Sequence, residues 1–313
     1  MLSVAAFSSS EDEEYTTTEM NGIRRQLWEQ SNIFTMPNSK FVSYFRINKE
    51  GFKYVLDKIA FKLKEPTRSI CVPNMLKLAA TMRILAEGSY QKGAGNDYNI
   101  SMCQSSVSNA FQECIDAMYN VLCSEWISFP TEENEKDEIK KFFYNKTGFP
   151  GLIGYIDGTH INIISPEKEV QFKYRNRKGF YSLNATVVCD HKLRIRYISS
   201  HLQGSVHDSL VWNTSYLKQF LRDQYDNGER NTSLLGDAGY PLEQFLITPF
   251  RSTVEGSSES RFNYIHARTR NIVERTIGVL KNRFRCILGA RQLHYTPDTA
   301  AKITSVCAAL QNI

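Results

Sequence analysis

Leu152-Ile-Gly-Tyr-Ile-Asp157-Gly158 is a short apolar run halted by an acid and a glycine. It reads as a buried strand whose last residue is a carboxylate. Residues 183–189 (LNATVVC) follow as a second apolar run, 190–192 as a turn, and 193–201 as a third strand of alternating character. Residues 205–222 read as a helix, 233–235 as another short strand stopped by Gly236-Asp237, and 268–284 as a strong helix with Val273, Ile277, Leu280 and Phe284 on one stripe. Three strands, helix, strand and a later helix is a mixed α/β order.

That order sorts the acids. In an antiparallel meander the end of the third strand lies beside the end of the first, so Asp208 approaches Asp157, whereas Asp190 falls at the far end. A strand at 233–235 laid parallel to the first brings Asp237 to Asp157 as well. On a helical wheel Glu274 lies at the border of the buried face, with Arg270, Lys281 and Arg285 nearby. Such an acid either neutralises its arginines or completes a cation site edged by positive charge. Clustered carboxylates repel unless a cation lies between them, and oxygen-only donors suit Mg²⁺ or Mn²⁺. A pair of such ions can activate water and stabilise the leaving 3′-oxygen in phosphodiester cleavage.

Upstream, three helical segments are legible between residues 73 and 121, the last capped by Ser101 with Val107, Phe111, Ile115, Met118 and Leu122 on its apolar stripe. Helix, short helix, turn and helix match a helix-turn-helix, with Gln104, Ser105, Ser108 and Asn109 near the start of the reading helix. No Lys or Arg occurs between Lys92 and Lys136, while Asp97, Glu113, Asp116 and Glu125 are acidic. DNA affinity rests largely on neutralised phosphates, so a helical bundle serving protein contacts stands beside the DNA reading. The sequence predicts a flexible tail at 1–39, with its acidic run at 11–14. A helical domain at 40–130, a connector helix at 131–150 and the α/β domain at 151–313 follow.

Positive charge is concentrated downstream. From Arg261 to Arg291 eight basic residues face one acid, Glu274. A second run, Lys173, Arg175, Arg177 and Lys178, is interleaved with Phe172, Tyr174, Phe180 and Tyr181. Cations mixed with aromatics suit nucleic acid. The 313 residues carry a net charge of +5, with 42% hydrophobic and 23% charged residues, a globular balance that excludes a mainly disordered or fibrous chain. Seven cysteines without a CxxC pair and six histidines without HxxxH argue against a disulfide framework or a Cys/His zinc site. No apolar stretch is long enough to span a membrane, and residues 1–7 lack the cationic lead of a signal peptide. A soluble, intracellular chain is expected.

In order, GYIDGTHINI (154–163), YRNRKGFYSLNATVVCD (174–190), GSVHD (204–208), LLGDAGYP (234–241) and ARTRNIVERTIGVLKNRFRCI (267–287) resemble the nuclease domain of the PIF/Harbinger transposases and their domesticated relatives. The resemblance covers residues 40–313. It implies an RNase H-like fold, a DDE triad of Asp157, Asp237 and Glu274, and a further metal-binding acid at Asp208. It also implies a DNA substrate, a Myb-like partner protein and a nuclear location. A metal-dependent DNA endonuclease is the first expectation, with Arg270, Lys281 and Arg285 binding phosphate. A catalytically silent DNA- or protein-binding factor is the alternative. Two positions depart from the family pattern. Asn109 follows Ser106-Val-Ser108 where a basic residue is common, and Gln311 stands in Leu310-Gln-Asn312 where histidine is usual. His160 and His207, beside the acids, read as structural.

Overall fold

Apolar residues at helical spacing begin earlier than a flexible tail would allow. In the computed structural model, which describes residues 17–64, 72–88, 91–97 and 100–313, α1 spans Thr17–Gln30, α2 Asn38–Phe45 and α3 Lys49–Ile59. Within the expected tail, Ile33 is fully buried and the Trp28 indole donates to the Ile100 carbonyl at 3.0 Å. The acidic run at 11–14 and Cys71 lie outside the described residues. Phe41, Phe45 and Phe52 pack ring against ring between α2 and α3. Then come α4 (Asn74–Glu87), α5 (Gln91–Gly95) and α6 (Gln104–Trp126). The cap of α6 is Cys103, and Ser101, the expected cap, instead has a left-handed backbone at φ 46°. Gln104, Ser105, Ser108 and Asn109 are exposed in the first two turns of α6. The acids of α6 are not left free to repel phosphate. Glu113 pairs with Lys77 (3.1 Å), Asp116 with Lys302 (2.6 Å) and Glu125 with Lys58 (3.0 Å).

Helix α7 (Glu133–Thr147) is tied down rather than an exposed link. Ile139 and Phe143 are buried, and its acidic run reaches Arg196 through Glu135 (2.6 Å) and Lys192 through Glu138 (2.6 Å). After it come β1 (Leu152–Asn162), α8 (Gln171–Tyr174), β2 (Ser182–Cys189) and β3 (Ile195–Gln203). Next are α9 (Asp208–Asn213), α10 (Tyr216–Asp226), β4 (Ser233–Leu235), β5 (Leu246–Ile247), α11 (Ser258–Arg283) and α12 (Pro297–Asn312). The expected helix at 205–222 is thus two helices, because the Ser215 hydroxyl caps α10 by accepting from Lys218 N at 3.1 Å.

The five strands form one mixed sheet in the order β3-β2-β1-β4-β5. β1–β2 and β2–β3 are antiparallel and β1–β4 is parallel, as the sequence predicts. β2 is buried along its whole length, so helices cover both faces of the sheet. One core joins Ile161, Leu183, Ala185, Val187 and Ile195 to the apolar sides of α2, α3, α4, α6 and α12. The second joins Tyr155, Ile156 and Val188 to Phe143, Trp212, Leu217, Leu234 and Val273. Helix α11 serves both, giving Val273 to one and Leu280 to the other. No described helix is long and apolar enough to cross a membrane.

Asn312 fastens the two layers. Its side chain accepts from Ile195 N (2.9 Å) and donates to Ile195 O (2.8 Å) and Trp126 O (2.7 Å), stitching α12 to the start of β3 and the end of α6. Asn312→Ala is expected to lose about 2–3 kcal/mol in urea unfolding, since three partners lose their bonds in a half-buried site. A loss under about 0.5 kcal/mol would show that water replaces the amide.

Candidate active site

Register places the acids. β1 continues through Asp157, which pairs with Val187 of β2, so the carboxylate stands within the strand and not at its end as expected. The strand survives its polar half, Gly158 to Asn162, because β2 supplies a ladder partner at every step to Ser182. Tyr155 pairs with Leu235 of parallel β4, and two residues beyond each lie Asp157 and Asp237. Asp208, the first residue of α9, comes in from the end of β3. Its Oδ1 accepts from Asn184 Nδ2 at 2.9 Å, and the same amide donates to Val206 O at 3.0 Å. A Cβ built on Gly158 would lie 2.5 Å from Asp208 Oδ1. Only a residue without a side chain lets that carboxylate lie against β1. One built on Gly239 would meet Asp237 Oδ1 at 3.0 Å and Asp208 Oδ2 at 3.8 Å, so these two carboxylates face the same point.

The charges report the same convergence. Burial, then the charges of Asp208, Asp157 and Asp237, raises the pKa of Tyr240 well above the usual tyrosine value. Tyr155 is raised above the usual tyrosine value mainly by burial, and Asp157, Asp237 and Glu274 all add to the effect. Asp157 itself is 8% exposed, and burial brings its carboxyl up to about 6. Arg270 offsets part of that rise, while Asp237 and Asp208 increase it. The four acids come from segments as far apart as residues 157 and 274.

Arg270 stands between two of them. Its Nη2 lies 3.5 Å from Asp157 Oδ2 and its Nε 3.1 Å from Glu274 Oε1, one turn along α11. The guanidinium is therefore a counter-ion of the carboxylates and not a side chain displayed for phosphate, as the wheel suggests. Glu274 is exposed. Lys281 is less exposed than the wheel suggests. It is half-buried and donates to the His160 carbonyl at 2.9 Å, with burial lowering its pKa to about 8. Arg285 lies beyond the last residue of α11, exposed in the turn at 285–287, so its position on the wheel near Glu274 is lost.

Lys173, Arg175, Arg177 and Lys178 are exposed around α8. Arg177 contacts the His207 ring, next to Asp208, and Lys178 acts electrostatically on His160, so two of the four reach the histidines that neighbour the acids. His160 Nδ1 is 3.0 Å from Ser182 Oγ and its pKa is lowered by burial, in keeping with a structural role. Asn184 escapes notice in the sequence, although an amide in the apolar run LNATVVC is the kind of buried polar group that needs a stated partner.

Three aspartates and a glutamate form an all-oxygen donor set, the chemistry of a hard divalent cation and not of zinc or copper. The glycine cradle at Gly158 and the raised Asp157 mark carboxylates short of positive charge. Among the described residues no three ligating side chains are already gathered as a metal cage. The donor chemistry fits such an ion, with Arg270 as the cation between Asp157 and Glu274.

Residues 156–312, half of the chain and all four acids, match the family model of the DDE superfamily endonucleases, and the chain belongs to that family. Its relatives are of the Harbinger transposase-derived type. It is 32% identical over 262 residues, 83% of this chain and 73% of the other, to the Xenopus laevis protein named "Putative nuclease HARBI1". The Homo sapiens protein of that name is 31% identical over 275 residues, 87% and 76% of the two chains. The Arabidopsis thaliana "Protein ALP1-like" is 27% identical over 292 residues, 87% and 70%. No solved structure matches the chain.

Proposed function

We propose that this protein is a divalent-metal-dependent DNA endonuclease with an RNase H-like catalytic domain. The observation that carries the reading is the convergence of Asp157, Asp208 and Asp237 about Gly158 and Gly239, with Glu274 joined to Asp157 through Arg270. Asp157, Asp237 and Glu274 form the catalytic triad, and Asp208 is the fourth ligand. Mg²⁺ or Mn²⁺, bound by these acids, supplies Lewis acidity to the phosphodiester and an activated water. Asn184 fixes the Asp208 carboxylate, and Gly158 leaves it room. Arg270 offsets the negative charge of Asp157 and Glu274. Arg177, Lys178 and Lys281 draw the sugar–phosphate backbone toward the acids.

Along α6 the exposed start is polar and uncharged, which supports a helix-turn-helix that works with a Myb-like partner rather than alone. A DNA substrate places the protein in the nucleus. A second reading, a binding factor that has kept the fold without the chemistry, is favoured by the ion pairs of Arg270 and the absence of a ready-made cage among the described residues.

Supercoiled plasmid with Mg²⁺ or Mn²⁺ separates the readings. Nicking by the parent and a fall of roughly a thousandfold or more in Asp237→Asn and Glu274→Gln are expected, on the scale of losing the charge stabilisation at the reacting phosphate. Intact plasmid with the parent, or equal nicking by the variants, would leave the binding factor.

A further inference from the structure

A cleft of about 1720 Å³ runs from Gly158, against which Asp208 lies, to the start of α6. Gly158, His160 and Asn162 of β1 line it on the nuclease side, and Gln91 and Lys92 of α5 and Gln104 of α6 on the helical side. It is larger than the ~300–1,000 Å³ of small-molecule sites. Lys92, Lys178, Lys281 and Arg291 line it, whereas no described residue lining it is an aspartate or glutamate. None of the four cations forms a salt bridge among the described residues. Lys281 donates to the His160 carbonyl (2.9 Å) and Arg291 to the Gly88 carbonyl (2.6 Å), both uncharged acceptors. Burial alone lowers Lys281 to about 8, the mark of an ammonium held in a concavity without its counter-ion. Positive charge in a groove with low-dielectric walls focuses its field on a polyanion.

We infer that this cleft holds an unpaired nucleic-acid strand, a few nucleotides long, that leads from the α5–α6 turn to the carboxylates at Gly158. The inference rests on the nuclease reading for its direction and adds the form of the substrate. Three observations favour a single strand over a duplex. The bond from Arg291 to Gly88 O ties the two walls across one end, where a duplex needs an open saddle. The lining amides, Gln91, Gln104 and Asn162, suit the exposed edges of unstacked bases. Phe180 lines the cleft beside Lys178, an aromatic next to a cation on a backbone track. The volume suits the short end of the ~4–16-nucleotide footprints of single-strand modules.

The test is binding without cleavage. Full-length protein carrying Asp237→Asn is titrated in EDTA against a fluorescent single strand of about 12 nucleotides and the same sequence as a blunt duplex, with anisotropy as readout. Lys92→Glu and Lys178→Glu are each placed in that background, and thermal unfolding checks that they fold. Arg291→Glu is left out because it would also break the tie to Gly88. The single strand is expected to bind at least tenfold tighter than the duplex, and each reversal to weaken it about tenfold and flatten its salt dependence. Equal binding of the duplex, strand binding indifferent to both reversals, or equal competition by polyglutamate would overturn the inference. Chemistry is disabled throughout, so failure here leaves plasmid nicking by the parent to stand or fall separately.

Discussion

Replacing Asp157 by asparagine is expected to stabilise the metal-free protein at pH 7.5 and to leave its stability at pH 4 nearly unchanged. Asp157 is buried among like charges, and burial brings its carboxyl up to about 6 in the folded state. The unfolded chain releases that proton near the usual aspartate value of about 3.9. Between roughly pH 4 and 6 the folded state therefore holds a proton that the unfolded state has lost, and stability falls as pH rises through this window. The difference from about 3.9 to about 6 corresponds to roughly 2–3 kcal/mol. Asparagine never acquires the charge, so the variant escapes the loss. Urea unfolding in EDTA at the two pH values measures it. An equal shift at both would mean that the effect is one of packing and that Arg270 already neutralises the carboxylate.

Gly158→Ala is expected to cost about a hundredfold in Mn²⁺ affinity with little change in thermal stability. The new methyl would lie 2.5 Å from Asp208 Oδ1 and 2.9 Å from its Cγ, contacts that cannot persist. What yields is the far end of one side chain, pulled from the Asn184 amide, so the fold survives while one ligand leaves. Displacing a ligand's support typically costs 10–100-fold in metal affinity. Calorimetric titration of parent and variant decides it. Unchanged Mn²⁺ binding would remove Asp208 from the ligand set.

Much of this was legible in the order of apolar runs. The antiparallel pairs, the parallel fourth strand and the approach of Asp208 and Asp237 to Asp157 follow from strand ends alone. Two features were hidden because they depend on partners far away in the chain. β1 runs on past Asp157 because Ser182 to Thr186 pair with its polar half, which no local pattern reveals. Arg270 looks like one cation among eight until Asp157, 113 positions away, is set against it. The acids of α6 count as repulsive charge in the sequence, yet Lys58, Lys77 and Lys302 consume them.

The shared interior has a consequence for how such a protein could be cut or recombined. On the side of Ile161, Leu183, Val187 and Ile195 the sheet is covered by α12, whose far side packs on α6, while the turn at 285–287 packs on α4. A fragment of residues 151–313 would turn the far side of α12 to water and is expected to be recovered in the insoluble fraction on expression, unlike the intact chain. The α/β and helical parts are thus inherited as one piece. A lineage that lost the first hundred residues would lose the folded setting of the acids with them.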